Sequence, residues 1–457
     1  MQKAELILAI LKDKSNKNPN YRFQRIYRYL FNIDFYLRAY SQVYSNENIR
    51  YTIEEEVHKF SIESTYEVIK KLKNESYYPE PLKKTDKENK KHWKTKTLYD
   101  NLIQQIIVEI LQAIYNIDFS INSHGFIPNK TYHNALYKIK STCGGSRWVI
   151  RGNIENYFYN INYDFLIELL GEKISDGRFI NLIYKFLVAG YMKEKKDCDT
   201  LSEISHRKSL ASILINIYLY KFDKYMNEEF RQAEYTRYLD NFIIFTFENR
   251  DLSEYMVSDV ISFLQDKLNI KVTEKEIFMI DLNKRRARFL GYEIAKLKCN
   301  YNDNKNCKHE EKRDSGIIQL LIPADVIRKR IKPLMLNGKS IHNSSRINLP
   351  IFKIISLYNR EIIELYNYYS LASDVNIKIR KFKFYHYLSL VKTLARKEQI
   401  SVKQVLNRYG IVSKEKDKKI VGVSYNTENG IKTVTYFNES LKKRNKPLYN
   451  INDIIGK

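Results

Sequence analysis

Tyr235-Thr236-Arg237-Tyr238-Leu239-Asp240-Asn241-Phe242-Ile243-Ile244-Phe245-Thr246-Phe247 decides how the chain is read, because two runs of β-favouring residues meet at Leu239, Asp240 and Asn241. The flanking Tyr, Thr, Ile and Phe suit a pleated, half-buried surface, and Asp and Asn tolerate the backbone conformations of a tight turn. The stretch predicts a strand, a turn and a strand, with the Asp240 carboxylate projecting from a rigid base. Taken alone, such a turn is an ordinary surface hairpin. Its surroundings decide whether it is more.

Working outward, Trp148-Val149-Ile150-Arg151-Gly152-Asn153-Ile154 reads as a strand that leads into Tyr157-Phe158-Tyr159-Asn160-Ile161. Residues 179–191 have helical spacing, as does the segment through Asn216-Ile217-Tyr218-Leu219 to Phe222-Asp223. After the hairpin, Phe289-Leu290-Gly291-Tyr292-Glu293-Ile294 reads as a further strand in which Gly291 permits a close backbone approach. Upstream, Asn122-Ser123-His124-Gly125-Phe126-Ile127-Pro128 carries turn residues, His133-Asn134-Ala135-Leu136 opens a helix, and residues 106–115 are helical in spacing. Residues 21–44 place Tyr27, Leu30, Phe31, Phe35, Leu37 and Tyr40 at helical spacings, with a junction at Asn32-Ile33-Asp34. The charge run 83–96 reads as a solvated loop, and 299–315 as a polar insert or linker.

Towards the C-terminus, Ile322-Pro323-Ala324-Asp325 starts a helix, and the segments around Leu357-Tyr358-Asn359-Arg360 and Leu365-Tyr366-Asn367-Tyr368-Tyr369 continue in helical spacing. Residues 376–400 predict a helix whose Phe384, Leu388, Val391 and Ala395 form a core-facing stripe, with Lys381, Tyr385, Lys392 and Arg396 on another, outward face. Ser401 to Gln404 is a capping box, and Gly410 stops the helix that follows.

The length, 457 residues, is enough for about three domains. A formal charge of +25 with 44% hydrophobic residues describes a globular but strongly basic protein, for which a polyanion is the natural partner. The apolar run Leu6 to Leu11 is far below the ~18 residues of a spanning helix and too short for a signal-peptide core, so a soluble protein is expected, without a membrane partner. Cys143, Cys198, Cys299 and Cys307 form no C-x-x-C pair, which argues for a reducing compartment. Cys299, Cys307 and His309 lack a fourth ligand and standard spacing, so no metal is assigned to them. Abundant Ile, Lys, Asn and Tyr, against 14 Gly and 8 Pro, fits an A/T-rich genome such as an organelle's.

In this order, the motifs resemble group II intron maturases and their reverse transcriptases. Arg237 to Phe242 is similar to R-Y-x-D-D-F, with Asn241 in place of the second Asp; residues 25–40 and Leu72 to Tyr77 resemble the N-terminal extension; Asp100 to Gln104 resembles D-R-x-V-Q. Lys392-Thr393-Leu394-Ala395-Arg396-Lys397 and Asn407-Arg408-Tyr409-Gly410 resemble domain X, the family's intron-binding module. The resemblance covers residues 21–437 and implies an α+β fold: right-hand fingers and palm with an all-helical thumb and domain X. The implied boundaries are 1–90 for a helical extension, 91–300 for a degenerate fingers and palm, 301–370 for insert and thumb, and 371–457 for domain X.

Departures from the pattern matter as much. Of three family Asp positions that would hold two Mg²⁺, only Asp240 remains, beside Asn153 and Asn241. The family's T-P-G-x-D-G loop is missing, its P-Q-G-G turn aligns with Ser205-His206-Arg207-Lys208, and its R-P-L-x-I-P strand pair with Lys91-His92-Trp93-Lys94-Thr95-Lys96. Amide oxygens bring no negative charge to a hard, reluctantly dehydrated ion. The expectation is an RNA-binding maturase-like protein that assists splicing of an organellar group II (or shortened group III) intron, with an inactive polymerase site and no cofactor. Mg²⁺ would enter only with residual polymerase activity. Intron RNA is the expected partner, through Lys381, Lys392, Arg396, Lys397, Lys403 and Arg408, with basic residues between Arg22 and Arg38 as the fallback. An active reverse transcriptase with divergent ligands and a general RNA chaperone stay open as alternatives. No LAGLIDADG motif occurs, and no H-N-H nuclease pattern follows domain X, so no DNA endonuclease activity is expected. The form resembles plastid intron maturases, which implies a plastid location, with the mitochondrion as alternative.

Overall fold

A computed structural model of the chain describes residues 2–44, 60–81, 84–87, 90–93, 98–115, 121–125, 130–154, 161–191, 210–297, 316–412, 419–427 and 430–448. The expectations on 94–96, 126–128, 157–160, 205–208 and 299–315, and on Cys198, lie outside the described residues.

In chain order the helices are α1 (Ala4–Lys17), α2 (Ile33–Tyr44), α3 (Ile62–Lys73), α4 (Leu98–Tyr115), α5 (Tyr132–Thr142), α6 (Tyr163–Lys173), α7 (Gly177–Val188), α8 (Leu210–Glu229) and α9 (Arg250–Asp266). They continue with α10 (Ala324–Ile331), α11 (Ile351–Tyr368), α12 (Val375–Glu398) and α13 (Val402–Tyr409). The strands are β1 (Lys84–Lys87), β2 (Lys90–Trp93), β3 (Trp148–Asn153), β4 (Glu234–Tyr238), β5 (Asn241–Thr246), β6 (Ile277–Asp281), β7 (Ala287–Phe289), β8 (Tyr292–Lys296) and β9 (Ile318–Leu321). A short pair, β10 (Met335–Leu336) and β11 (Lys339–Ser340), is followed by β12 (Gly410–Val412), β13 (Lys419–Thr427) and β14 (Gly430–Thr435). Helices and antiparallel sheets together give the α+β class that the sequence implies.

Two compact units result, residues 1–128, 150–197 and 207–279 in one, and 129–149, 198–206 and 280–457 in the other. In the first, a sheet of order β4-β5-β3-β6 carries the hairpin, and α4 is buried along nearly its whole length. Leu102, Ile106, Ile110 and Ile114 of α4 join Leu30, Phe35, Leu72, Ile217 and Phe242 in one core. An apolar helix of this kind has no solvent face to mark, so its periodicity is weak while its burial is complete. β1 and β2 pair antiparallel, with Lys84 opposite Trp93, where the charge run predicts a loop. Strand pairing uses backbone donors and acceptors, which a charged sequence retains.

The second unit packs α5 with the sheet β7-β8-β9. The predicted strand 289–294 is instead a hairpin: Leu290 and Gly291 both have positive φ, +47° and +72°, and turn β7 into β8. Tyr368 and Tyr369 donate to the Leu290 and Gly291 carbonyls at 3.0 and 3.2 Å, and a Cβ on Gly291 would lie 3.2 Å from the Tyr368 hydroxyl. α10 to α13 are helical as expected, but this part of the chain, for which an all-helical thumb and domain X are implied, also carries strands. An antiparallel sheet of order β12-β13-β14 follows α13 without a loop. Gly410 ends α13 as expected, though in extended backbone (φ −77°); its glycine is required because a Cβ would meet the Leu406 carbonyl oxygen at 2.2 Å.

Candidate functional site

The hairpin is tighter than the sequence predicts. Tyr238 pairs with Asn241, so Leu239 and Asp240 alone form the turn, and the residue in the left-handed region is Leu239, at φ +55°. A buried leucine there is held in a conformation that costs energy unless its surroundings fix it. They do so from both sides. Arg237 donates through Nη1 to the Leu239 carbonyl at 2.8 Å, and Gly125 lies so close that a Cβ would stand 2.7 Å from the Leu239 nitrogen.

Arg237 is wholly buried and organises everything beneath the turn. Its guanidinium makes a bidentate ion pair with Asp223 of α8, at 2.7 and 2.5 Å, and a 3.0 Å bond to Asn216 Oδ1. Asn216 in turn donates to the Gly125 carbonyl at 2.6 Å, and the Tyr235 hydroxyl donates to Asp223 at 2.8 Å. Residues 122–125 run beside β4: the Arg237 amide donates to the Asn122 carbonyl, and the His124 amide to the Arg237 carbonyl, both at 2.9 Å. Burial by itself would lower the Arg237 pKa, but the Asp223 carboxylate holds it above the ordinary value; burial and the same carboxylate push the Tyr235 phenol well up. Each lone charged or amide residue in these otherwise apolar runs, Arg237, Asp223 and Asn216, has a partner. Polar residues isolated in apolar runs are the signal that the sequence carries for such a network, and the fold supplies the pairing.

At the tip the structure brings together the three positions of the metal-ligand pattern. The Ile154 amide donates to the Asp240 carbonyl at 3.1 Å, which sets Asn153 at the end of β3 beside the turn, and Asn241 follows Asp240 directly. Gly152 permits this close pairing, because a Cβ there would fall inside the Phe242 ring. Asp240 is 8% exposed. Asn241 Nδ2 donates to its Oδ1 at 3.1 Å, so an N–H faces the carboxylate where a cation site needs an oxygen. Among the described residues no group of three or more His, Cys, Asp or Glu is placed to hold a metal ion. One carboxylate flanked by amides does not fit a pair of Mg²⁺ ions, whose charge several carboxylates must offset.

The candidate RNA-binding residues of the second unit divide into two groups. α12 turns Val375, Ile379, Phe382, His386, Leu390 and Leu394 inward. The core-facing stripe is therefore corrected: Phe384 is 59% exposed, Leu388 and Ala395 are half-buried, and of that set Val391 is buried. Apolar residues on two sides of one helix leave its periodicity unable to name the inner one. Lys392 and Lys397, read as outward cations, are half-buried clamps: their ammonium groups donate to the Ser340 and Ile347 carbonyls at 2.6 and 3.0 Å. Arg408 pairs with Glu398 at 3.0 Å. Lys381, Arg396 and Lys403 are exposed. In the first unit, Arg22 donates to the Gly171 carbonyl and Arg38 pairs with Glu109 and Glu5, so two cations of the fallback set are also held within the fold.

A polar line also joins α11 to α12, with His386 buried and Arg346 and Glu361 half-buried. Arg346 pairs with Glu361, whose carboxylate meets His386 Nε2 at 2.9 Å, while His386 Nδ1 lies 3.0 Å from the Tyr436 hydroxyl. Burial lowers the His386 pKa; Glu361, whose burial would raise it, is held down at about 2 by hydrogen bonds from His386 and Arg346. Neutral His386 therefore donates from Nε2 to Glu361 and accepts Tyr436 at Nδ1.

Comparison with known proteins matches both parts of the chain. A reverse transcriptase (RNA-dependent DNA polymerase) family model matches residues 82–294, and a type II intron maturase model matches residues 315–450. The group II intron-encoded protein LtrA of Lactococcus lactis subsp. cremoris is 28% identical, over 90% of this chain and 80% of its own. A 91 kDa protein in the cob intron of Schizosaccharomyces pombe is 26% identical, over 88% of this chain and 58% of its own. The nuclear intron maturase 2, mitochondrial, of Arabidopsis thaliana is 23% identical over 42% of this chain and 29% of its own.

Proposed function

We propose that this chain, which belongs to the group II intron maturase and reverse-transcriptase family, works as an RNA-binding maturase and not as a polymerase. It stabilises the folded form of an organellar group II or shortened group III intron and so promotes splicing, while the RNA supplies its own catalytic metals. The observation that carries this reading is the turn at Asp240: its supporting network is complete, yet two of its three metal-ligand positions are the amides Asn153 and Asn241. Selection for polymerisation acts on the carboxylates, whereas selection for a shaped RNA-binding surface needs the scaffold alone. The maturase match at 315–450 and the net charge of +25 support intron RNA as the partner. The abundance of residues whose codons are A/T-rich supports an organellar gene, and a plastid location is proposed with the mitochondrion as alternative. Purified protein should extend no primer on an RNA template with Mg²⁺ or Mn²⁺, and should bind group II intron RNA in preference to an unrelated RNA of equal length. Extension above a no-enzyme control overturns the reading.

A further inference from the structure

The outer face of α12 sets apolar and basic side chains in water together. Ile377 is 75% and Phe384 59% exposed. Arg380 and Lys381 are exposed between them and half-buried Leu388 follows, so the positions make one stripe at helical spacing. The inner face of the helix is already filled by Val375, Ile379, Phe382, His386 and Leu390, so folding does not account for a phenylalanine on the outside. Tyr385, half-buried, touches the Phe384 ring edge-on at 5.2 Å and orients it.

Charge decides what can cover the stripe. None of its residues is acidic, and Arg380, although it donates to Asn376 Oδ1 at 2.8 Å, keeps further N–H donors. A second copy of this chain, itself strongly basic, would bury both cations without an anion. A single-stranded nucleic acid offers both missing partners, a base face for the ring and phosphates for the cations. A duplex keeps its bases stacked and offers phosphates alone.

We propose that this stripe is a platform for an unpaired stretch of RNA, one base stacking on Phe384 while neighbouring phosphates meet Arg380 and Lys381. The proposal rests on the maturase reading and names the part of the RNA that this face takes. The test uses the full chain and two fluorescent probes, a mixed-sequence single-stranded RNA of ~12 nucleotides, within the span such sites cover, and the same sequence as a duplex. Phe384→Ala should weaken single-strand binding about tenfold, as loss of one base–aromatic stack does, with an unchanged salt slope, unchanged melting and unchanged duplex binding. Phe384→Trp should retain affinity. Arg380→Ala with Lys381→Ala should lower the single-strand salt slope by about 0.7 for each lost contact. If Phe384→Ala binds both probes as wild type does, or if it dissolves an oligomer of the wild-type chain, the platform is wrong and the maturase reading stands. If the wild-type chain binds neither probe nor any intron RNA, both fall together.

Discussion

Arg237 under the hairpin turn and Lys381 on the outer face of α12 carry the same charge in opposite settings. Arg237 has no exposed surface, meets a carboxylate, an amide oxygen and a backbone carbonyl, and fixes the conformation of Leu239. Lys381 stands in water beside an exposed ring. In the first region the polar groups hold one another and Asp240 stands between two amides, Asn153 and Asn241; in the second, a helix sets basic and apolar side chains in water. A cation that builds the fold can thus be told from one that is open to solvent by what lies within its reach.

The largest effect should come from breaking the first. Arg237→Ala strands the buried Asp223 carboxylate and should cost roughly 3–5 kcal/mol in denaturant unfolding, whereas Asp240→Ala, which removes the acceptor of the Asn241 amide, should cost less. Equal costs for the two would mean that the turn is held by something other than the Arg237 network.

Much of this contrast was legible in the sequence, and the remainder fails for identifiable reasons. Alternating β-formers around Asp240 give the hairpin, and Ser401 with Gln404 gives a capping box that forms as read. Leu239 as the strained residue could not be read locally, because Gly125, which presses on it, is distant in the chain, and Arg237, two residues before it, is aimed at its carbonyl by Asp223 and Asn216 of α8. The sheet after α13 has its signal in the sequence, where Val421, Val423 and Tyr425 alternate and Asn429-Gly430 is a hairpin turn pair, against the all-helical end that the resemblance implies. Lys392 and Lys397 look like any exposed lysine in sequence. Only the fold shows the carbonyls of Ser340 and Ile347 within their reach.

A second measurement sharpens the contrast through pH. His133 is buried in the second unit, its Nε2 donating to the Tyr368 carbonyl at 2.9 Å and its Nδ1 accepting the Leu448 amide at 3.3 Å, and burial lowers its pKa from 6.5 to about 4. With the folded pKa depressed, the stability due to neutral His133 is fully present above pH 6.5 and is lost as pH falls towards 4. The loss should approach roughly 3 kcal/mol and should be absent in His133→Gln if that side chain keeps either bond. The Glu361–His386 pair acts in the same direction, since both pKa values are lowered. A stability that is flat from pH 7 to about 4 would contradict the readings of His133 and His386, whereas the loss due to Glu361 falls between 4.5 and about 2.

The two clamps give a smaller effect. Lys392→Ala with Lys397→Ala leaves two backbone carbonyls without their ammonium donors and should cost about 2 kcal/mol, with the loss greater than for any exposed pair on the same helix. If RNA affinity drops while stability is unchanged, these lysines face the RNA and the clamp assignment is wrong.

The smallest change in stability belongs to Arg396 and Lys403, and it isolates electrostatics from structure. Both are exposed, so replacing both by alanine should keep unfolding free energy within about 0.5 kcal/mol of wild type for each site. Their contribution to binding, if they reach phosphates, is the release of counterions. Affinity for intron RNA should fall steeply between ~50 and ~200 mM salt for the wild-type chain, and the slope of log affinity against log salt should be shallower in the double variant by about 0.7 to 0.9 for each phosphate lost. Preference for intron over unrelated RNA should survive, because shape and unpaired bases carry it. An unchanged slope with unchanged stability would remove these two cations from the RNA-facing surface and leave the Arg380–Lys381–Phe384 stripe to carry the contact.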